Sequence, residues 1–596
     1  MKNAGPILAC SLALTLLPAC ATTPDGRAMH AGVFGLGAVA CDDYQASRAG
    51  AAMLGLGGNA VDAAIASSFA LSVVRPHSCG LGGGGFMIVR LVDDPRTDAT
   101  GDAVTVAIDY RERTPSAVAP DHFFDLPDDA SRHSGHAIAI PGTAAGLLAA
   151  HDRFGALPLE TVVAPAVRYA LESYSVDTNG ARAIDEMLDA IGARDDEGAR
   201  WLRETYEHDT VRHGVRNPAQ ARLLLDIAVD GLDAFYTGDN AAHLVDAVRS
   251  AGGVMTLDDL AAYEPTIATP IERTVTLGDD TYTLLVMPPP SSGGVALIQT
   301  LSMLDLYDEQ MRGHVGVGIL DATHPHDPHF AHAVAECFKH AFADRARHMG
   351  DAEFVDVPID EMLDPERLAR AVTLLDPHRT LPQHEYGVAD HSDSIARLPD
   401  DHGTSHISVI DRWGNAVACT ETINTSFGSR VAVPELGIVL NNQMDDFLTK
   451  PDAANAYGLT QSERNLPAPG KRPLSSMSPT IVLDDAGAVL AVAGASGGPR
   501  IITGTTQALV NALHFGMDAY DAVRTPRLHH QWGPDTLFFE PDYEQPTIEA
   551  LRANGHAIRE RPDVGVVQIL VRRGGVIEAA SDPRKGGRPA GDRRVR

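Results

Sequence analysis

The sequence predicts an α+β fold in which antiparallel sheets lie stacked between layers of helices. Two observations carry this expectation. Three hairpin patterns occupy the last third of the 596-residue chain, each a pair of alternating runs around a turn. Helical periodicity dominates the segments around them, above all 141–250, and such helices bury one face on a sheet. No internal repeat and no obvious linker interrupts the pattern.

The first residues are read as lying outside the fold. Lys2 is followed by an apolar run, Ile7 to Leu17, too short to span a bilayer. This is the pattern of an export signal. It ends in Leu17-Pro18-Ala19-Cys20, which resembles a bacterial lipobox with Cys20 as the lipidated residue. Ordinary cleavage after the small-x-small run Ala19-Cys20-Ala21 is the alternative. Residues 1–20 are therefore assigned to a lipoprotein-type signal and 21–36 to a tether. The expected location is the periplasm of a Gram-negative-type cell, on the outer membrane, with the lipid anchor as the only membrane contact.

The next elements follow in order. Ala38–Cys41 reads as a short strand. Ala46–Val74 reads as helix, broken softly at Gly55-Leu56-Gly57-Gly58-Asn59, with one face (Val61, Ala64, Ile65, Ser68, Phe69, Ser72) turned inward. Phe86–Val92 and Val104–Arg111 read as a hairpin joined by the polar stretch Asp93–Asp102. Thr281–Met287 is a strand that must leave its sheet at Pro288-Pro289-Pro290. Ser291-Ser292-Gly293-Gly294 then opens an apolar helix to about Leu306. After an irregular acidic stretch, 376–403, come the hairpins Ser405–Asp411 with Ala416–Thr422, Pro479–Leu483 with Val489–Ala493, and Val566–Arg572 with Val576–Ala580.

Composition narrows the function. Hydrophobic residues are 44% and charged residues 21%, as in a globular protein, and the formal net charge is −31. That sign opposes phosphate backbones, so nucleic-acid binding is not expected. Of the six cysteines, Cys10 and Cys20 fall in the leader. Cys41, Cys79, Cys337 and Cys419 lack CxxC spacing and read as buried free thiols rather than a zinc site. His324, His326, His329 and His332 stand in a Pro-punctuated loop with no ordered acidic partner, so no metal is expected there. No cofactor is expected elsewhere.

Gly403-Thr404-Ser405-His406 opens the first hairpin. Alone it would be a solvated turn. Thr422-Ile423-Asn424, Asn441-Asn442-Gln443-Met444-Asp445-Asp446-Phe447, Lys471 to Thr480, and Gly497-Gly498 with Arg500-Ile501-Ile502 follow it. Gly58 to Ala64, Gly82–Phe86, Arg111-Glu112 and Pro288–Gly294 precede it. In this order, from about residue 37 to 585, these motifs resemble the γ-glutamyltranspeptidases, which are N-terminal-nucleophile hydrolases with an αββα sandwich.

The resemblance implies a chain that cuts itself between Gly403 and Thr404. A large subunit, 37–403, and a small catalytic subunit, 404–596, would remain together as a heterodimer. A threonine hydroxyl needs a base, and the new α-amine of Thr404 would supply it at a pKa of roughly 7.7–8.0. By the same resemblance Thr422 holds the Thr404 hydroxyl, and Gly497 and Gly498 form the oxyanion hole. The family often has Ser-Pro-Gly-Gly where this chain has Ala495-Ser496-Gly497-Gly498. Arg111, Ser475 and Ser476 would read a substrate α-carboxylate; Asp446, Gln443 and Asn424 would read its α-ammonium. Tyr457 falls in a segment, 447–470, that resembles the family's lid loop.

The implied activity is transfer or hydrolysis of γ-glutamyl groups from glutathione and related compounds, with amino acids, dipeptides or water as acceptors. The alternative on the same fold is a cephalosporin (glutaryl) acylase or a polyglutamate depolymerase. A third reading is an uncleaved lipoprotein that only binds γ-glutamyl peptides; retention of Thr404, Thr422 and both glycines speaks against it.

Overall fold

The computed structural model describes residues 26–92, 103–386, 403–451 and 453–592. The signal, Cys20 and the 93–102 loop lie outside them. Two seven-stranded sheets form the centre. The first runs, in spatial order, Ala31–Phe34, Val576–Ser581, Val566–Arg573, Val489–Ser496, Thr480–Leu483, Asp280–Val286 and Ile271–Leu277. The second runs Ala590–Gly591, Ala38–Cys41, Thr404–Ile410, Ala416–Thr422, Gly84–Leu91, Val104–Tyr110 and Thr266–Ala268. Every pairing in both is antiparallel.

The period of two along each strand decides which side chain meets which layer. In the second sheet Ala38, Ala40, Phe86, Ile88, Ile410, Ala416 and Ala418 join the core shared with the first sheet. Their neighbours Val39, Cys41, Met87, Val89, Val409, Val417 and Cys419 join a second core with the outer helices Tyr44–Gly55 and Ala60–Val74. The helices Gly293–Val315 and Arg500–Leu513 cover the first sheet. The order helix, sheet, sheet, helix is thus written in residue parity.

Several expectations need adjustment. Part of the tether belongs to the fold: Gly26–His30 is a helical turn, and Ala31–Phe34 pairs with Val576–Ser581 as an edge strand. Ala60–Val74 is buried on every side, not on one face. Its small residues, mostly Ala and Ser, let helices and sheet approach all round it. The helix expected to stop near Leu306 continues to Val315, where Gly316 ends it in a left-handed conformation. The break before Ala60 is a capping box: Asn59 Oδ1 accepts from the backbone of Val61 and Asp62, and Asp62 accepts from Asn59 N–H. Cys41, Cys79, Cys337 and Cys419 are buried free thiols. No helix among the described residues is long and apolar enough to cross a membrane.

Candidate active site

Thr404 is the first residue of the central strand Thr404–Ile410 and pairs with Thr422 on the neighbouring strand. By parity with Ile410 and Ala418, both side chains point between the sheets. They meet with their hydroxyl oxygens 2.9 Å apart. Thr422 Oγ donates to the carbonyl of Gly403 at 2.6 Å and accepts from Asn424 N–H at 2.8 Å. Its single proton is therefore committed, and in the 2.9 Å contact Thr404 is the donor. The lone pairs of Thr404 Oγ are left for attack. The Gly403 carbonyl receives a second donor, Ile423 N–H, at 3.2 Å. Only glycine fits at 403, because a Cβ there would stand 1.8 Å from the Asn424 carbonyl oxygen.

Gly497 and Gly498 follow directly on the strand Val489–Ser496 of the facing sheet. Both have positive φ, 130° and 58°, which an L side chain rarely adopts. The pocket beside Thr404 is lined among others by Arg111, Thr422, Asn424, Gln443, Asp446, Tyr457, Ser475, Ser476 and Gly498. All the substrate-reading residues expected from sequence come together there.

Their partners are informative. Arg111 Nη2 donates to Asp446 Oδ2 at 2.6 Å, and Arg111 Nε to the Pro473 carbonyl at 3.2 Å. Gln443 Nε2 also donates to Asp446 Oδ2, at 2.7 Å. The two charges expected to read substrate thus neutralise each other in this state. Gln443 Oε1 and Ser476 Oγ are buried without a hydrogen-bond partner. Behind Arg111, burial pushes the Glu112 carboxyl up to about 7 against the pull of Arg111, whose Nη1 stands 3.7 Å away. Tyr457 closes the top: its hydroxyl donates to the Asn424 carbonyl at 2.6 Å, and its ring stands where a Cβ on Gly498 would be.

Sequence reasoning missed several supporting residues. Asn455 donates to Asp446 Oδ1 at 3.0 Å, and Asp445 accepts from Ala456 N–H at 2.7 Å, so both fasten the segment that carries Tyr457. Lys585 Nζ, from near the C-terminus, donates to the Thr404 carbonyl and to Ser496 Oγ. Ser292 N–H and Oγ both donate to the Ser475 carbonyl, which explains why Pro288–Gly294 belongs to the site. The neighbourhood of Asp445 in its own motif was the available signal; nothing in sequence pointed to Lys585.

Of the four histidines, His329 and His332 lie in the helix Pro328–His348 rather than in a loop, and His332 alone joins a group with metal-ligating chemistry among the described residues, together with Glu336 and His556. His332 Nε2 donates to the Asp376 carbonyl, so its Nδ1 accepts from His556 Nε2 at 2.8 Å. Lys339 Nζ, 3.1 Å from Glu336, supplies the local cation.

A sequence model described as gamma-glutamyltranspeptidase matches residues 46–592. The chain belongs to the gamma-glutamyltranspeptidase family. It is 37% identical to a glutathione hydrolase proenzyme of Escherichia coli K12 over 92% of this chain and 90% of that one. It is 35% identical to a glutathione hydrolase proenzyme of Pseudomonas aeruginosa over 92% of this chain and 93% of that one. Among solved structures, a gamma-glutamyltranspeptidase from Pseudomonas nitroreducens matches with a TM-score of 0.51 and 28% identity, over 58% of this chain and 96% of that one. A cephalosporin acylase from Bacillus halodurans superimposes with a TM-score of 0.78 at 23% identity, over 97% and 99% of the two chains, which speaks to fold alone. The αββα sandwich is that of the N-terminal-nucleophile hydrolases.

Proposed function

We propose that this gamma-glutamyltranspeptidase-family protein cuts its own Gly403–Thr404 bond and then transfers or hydrolyses γ-glutamyl groups, glutathione being the reference donor. The observation that carries it is the Gly403–Thr404–Thr422 contact set. In processing, Thr404 Oγ attacks the Gly403 carbonyl carbon, and Thr422 Oγ–H and Ile423 N–H receive the oxygen's developing charge. The C–N bond breaks, the acyl group moves to Oγ, and the proton released by Oγ ends on the new amine. Water then cleaves the ester, giving a Gly403 carboxylate and a free Thr404 amine.

The cut does not separate the halves. Thr404–Ile410 is hydrogen-bonded between Ala38–Cys41 of the large chain and Ala416–Thr422 of the small one. The central sheet therefore contains strands from both, and a heterodimer results.

In the mature enzyme the Thr404 amine takes the hydroxyl proton as Oγ attacks the γ-carbonyl of the donor. The N–H groups of Gly497 and Gly498 face the oxyanion. Collapse expels the donor's amine, which takes that proton from the Thr404 ammonium, and leaves a γ-glutamyl–Thr404 ester. Water, an amino acid or a dipeptide resolves it. The acyl end is read by exchange: its ammonium replaces Arg111 on Asp446, with Gln443 Oε1 as a further acceptor, while Arg111 and Ser476 Oγ turn to its carboxylate. A glutaryl group has no ammonium to make that exchange, so the acylase reading is set aside.

The test is purified protein assayed on glutathione with and without glycylglycine, beside a denaturing gel. Wild type should show two chains and activity; Thr404→Ala should show one chain and none. Activity in protein with an intact 403–404 bond would overturn the mechanism. The export motif and Cys20 support placement on the outer membrane, facing the periplasm. Membrane pelleting unchanged by Cys20→Ala would count against the anchor.

A further inference from the structure

The pocket contains a second arginine that the motifs did not mark. Arg345 lies in the helix Pro328–His348 of the large chain and lines the same pocket as Arg111, Asp446, Ser475 and Ser476. It is 3% exposed. Its Nε donates to Ser292 Oγ at 2.9 Å, and Ser292 Oγ donates to the Ser475 carbonyl at 2.7 Å. Its Nη1 is buried with no hydrogen-bond partner.

A buried guanidinium with an idle donor is costly unless something completes it. The acid that lines the same pocket offers little: Asp446 already accepts from Arg111 and Gln443 at one oxygen and from Asn455 at the other. Burial lowers the pKa of Arg345 to about 10; Asp446 opposes that and Arg111 adds to it. At neutral pH the group is still a cation. With Arg111 and Asp446 paired, Arg345 is left as an unneutralised cation among the pocket-lining residues, beside the Ser475–Ser476 segment.

The unpartnered groups form a pattern. Arg345 Nη1 and Ser476 Oγ can donate, and Gln443 Oε1 can only accept. Two donors beside one acceptor match a group that presents a carboxylate next to an ammonium. The tie from Arg345 through Ser292 to Ser475 places this guanidinium on the carboxylate side of that match.

We propose that Arg345 is a specificity-determining residue that contacts the α-carboxylate of the acyl donor together with Arg111, so that the carboxylate is held between two guanidinium groups. This rests on the γ-glutamyl reading above. It makes the free α-carboxylate, more than the rest of the acyl group, the feature the pocket demands. It also assigns Ser292 as a positioning residue, which aims Arg345 through Nε without touching substrate.

The experiment compares two anilide donors, γ-glutamyl-p-nitroanilide and its α-carboxamide, on wild type, Arg345→Gln and Ser292→Ala. A two-chain gel serves as the control for folding, since self-cleavage binds no free donor. Arg345→Gln should lower kcat/KM for the carboxylate donor by about 10- to 100-fold, mainly through KM. It should change the carboxamide by less than about threefold, collapsing the preference between the donors. Ser292→Ala should move the same ratio in the same direction by a smaller factor. Equal loss on both donors, or an unchanged ratio, would overturn the proposal and leave Arg345 as a packing residue. If wild type turns over neither donor, the γ-glutamyl reading itself fails, a result distinct from an unchanged ratio.

Discussion

Replacing Gly403 by alanine should stop self-cleavage while leaving the chemistry of any cleaved enzyme intact. The added Cβ would lie 1.8 Å from the Asn424 carbonyl oxygen and 2.5 Å from its carbon. Asn424 cannot retreat, because that oxygen accepts from Tyr457, its N–H donates to Thr422 and its Nδ2 donates to the Asn442 carbonyl. Residue 403 must instead move by about 1.6 Å to restore an ordinary contact of 3.4 Å, and a misplacement of even about 1 Å costs about 100-fold in rate. The movement carries the Gly403 carbonyl away from Thr422 Oγ, now at 2.6 Å, and Ile423 N–H, now at 3.2 Å. Loss of one oxyanion donor costs roughly 10²- to 10³-fold, or about 2.7–4 kcal/mol. Processing should therefore slow by at least about 100-fold. The assay is the appearance of the small chain on a denaturing gel after the precursor is purified. Any Gly403→Ala protein that does cleave should have wild-type kcat/KM on glutathione, because residue 403 is then the far end of another chain. Cleavage within about threefold of wild type would refute the assignment of Thr422 and Ile423 as the processing oxyanion site, as would normal cleavage in Thr422→Val.

Two further outcomes follow from the same geometry. Arg111→Lys keeps the charge but not the planar fork; it should raise KM for γ-glutamyl donors by about 10- to 100-fold and leave self-cleavage unchanged, so an unaltered KM would remove Arg111 from substrate binding. Glu421 is buried against Ser68 and Tyr110, and burial raises its carboxyl pKa from 4.5 to about 7. Since the folded pKa lies above the unfolded one, this carboxyl's contribution is complete below pH 4.5 and is lost as pH rises through about 7, a swing of about 3 kcal/mol. Glu421→Gln should flatten the fall of Tm between roughly pH 4.5 and 7, measured by thermal unfolding; an unchanged slope would show that Glu421 ionises freely in the fold.

The sequence by itself determined the layers and marked Thr404 as the candidate nucleophile. Alternation along Ser405–Asp411 and Ala416–Thr422 set which residues face sheet and which face helix. The ordered motifs around Gly403-Thr404 were legible because each holds residues whose chemistry needs no long-range context: a threonine hydroxyl, paired glycines, an arginine and a carboxylate. What sequence could not supply was partnership. Arg111 and Asp446 are 335 positions apart, and only the fold brings them to 2.6 Å as a pair. Asn441 sits in the same motif as Gln443 yet faces away, binding Gly82 and Ala139 backbone. Arg345 and Lys585 reach the site from a helix and a C-terminal loop whose local pattern is ordinary. Periodicity reports the face on which a residue stands, because it follows from backbone geometry alone. Which distant group waits on that face depends on chain crossings between sheets, and those are decided by packing the whole molecule at once.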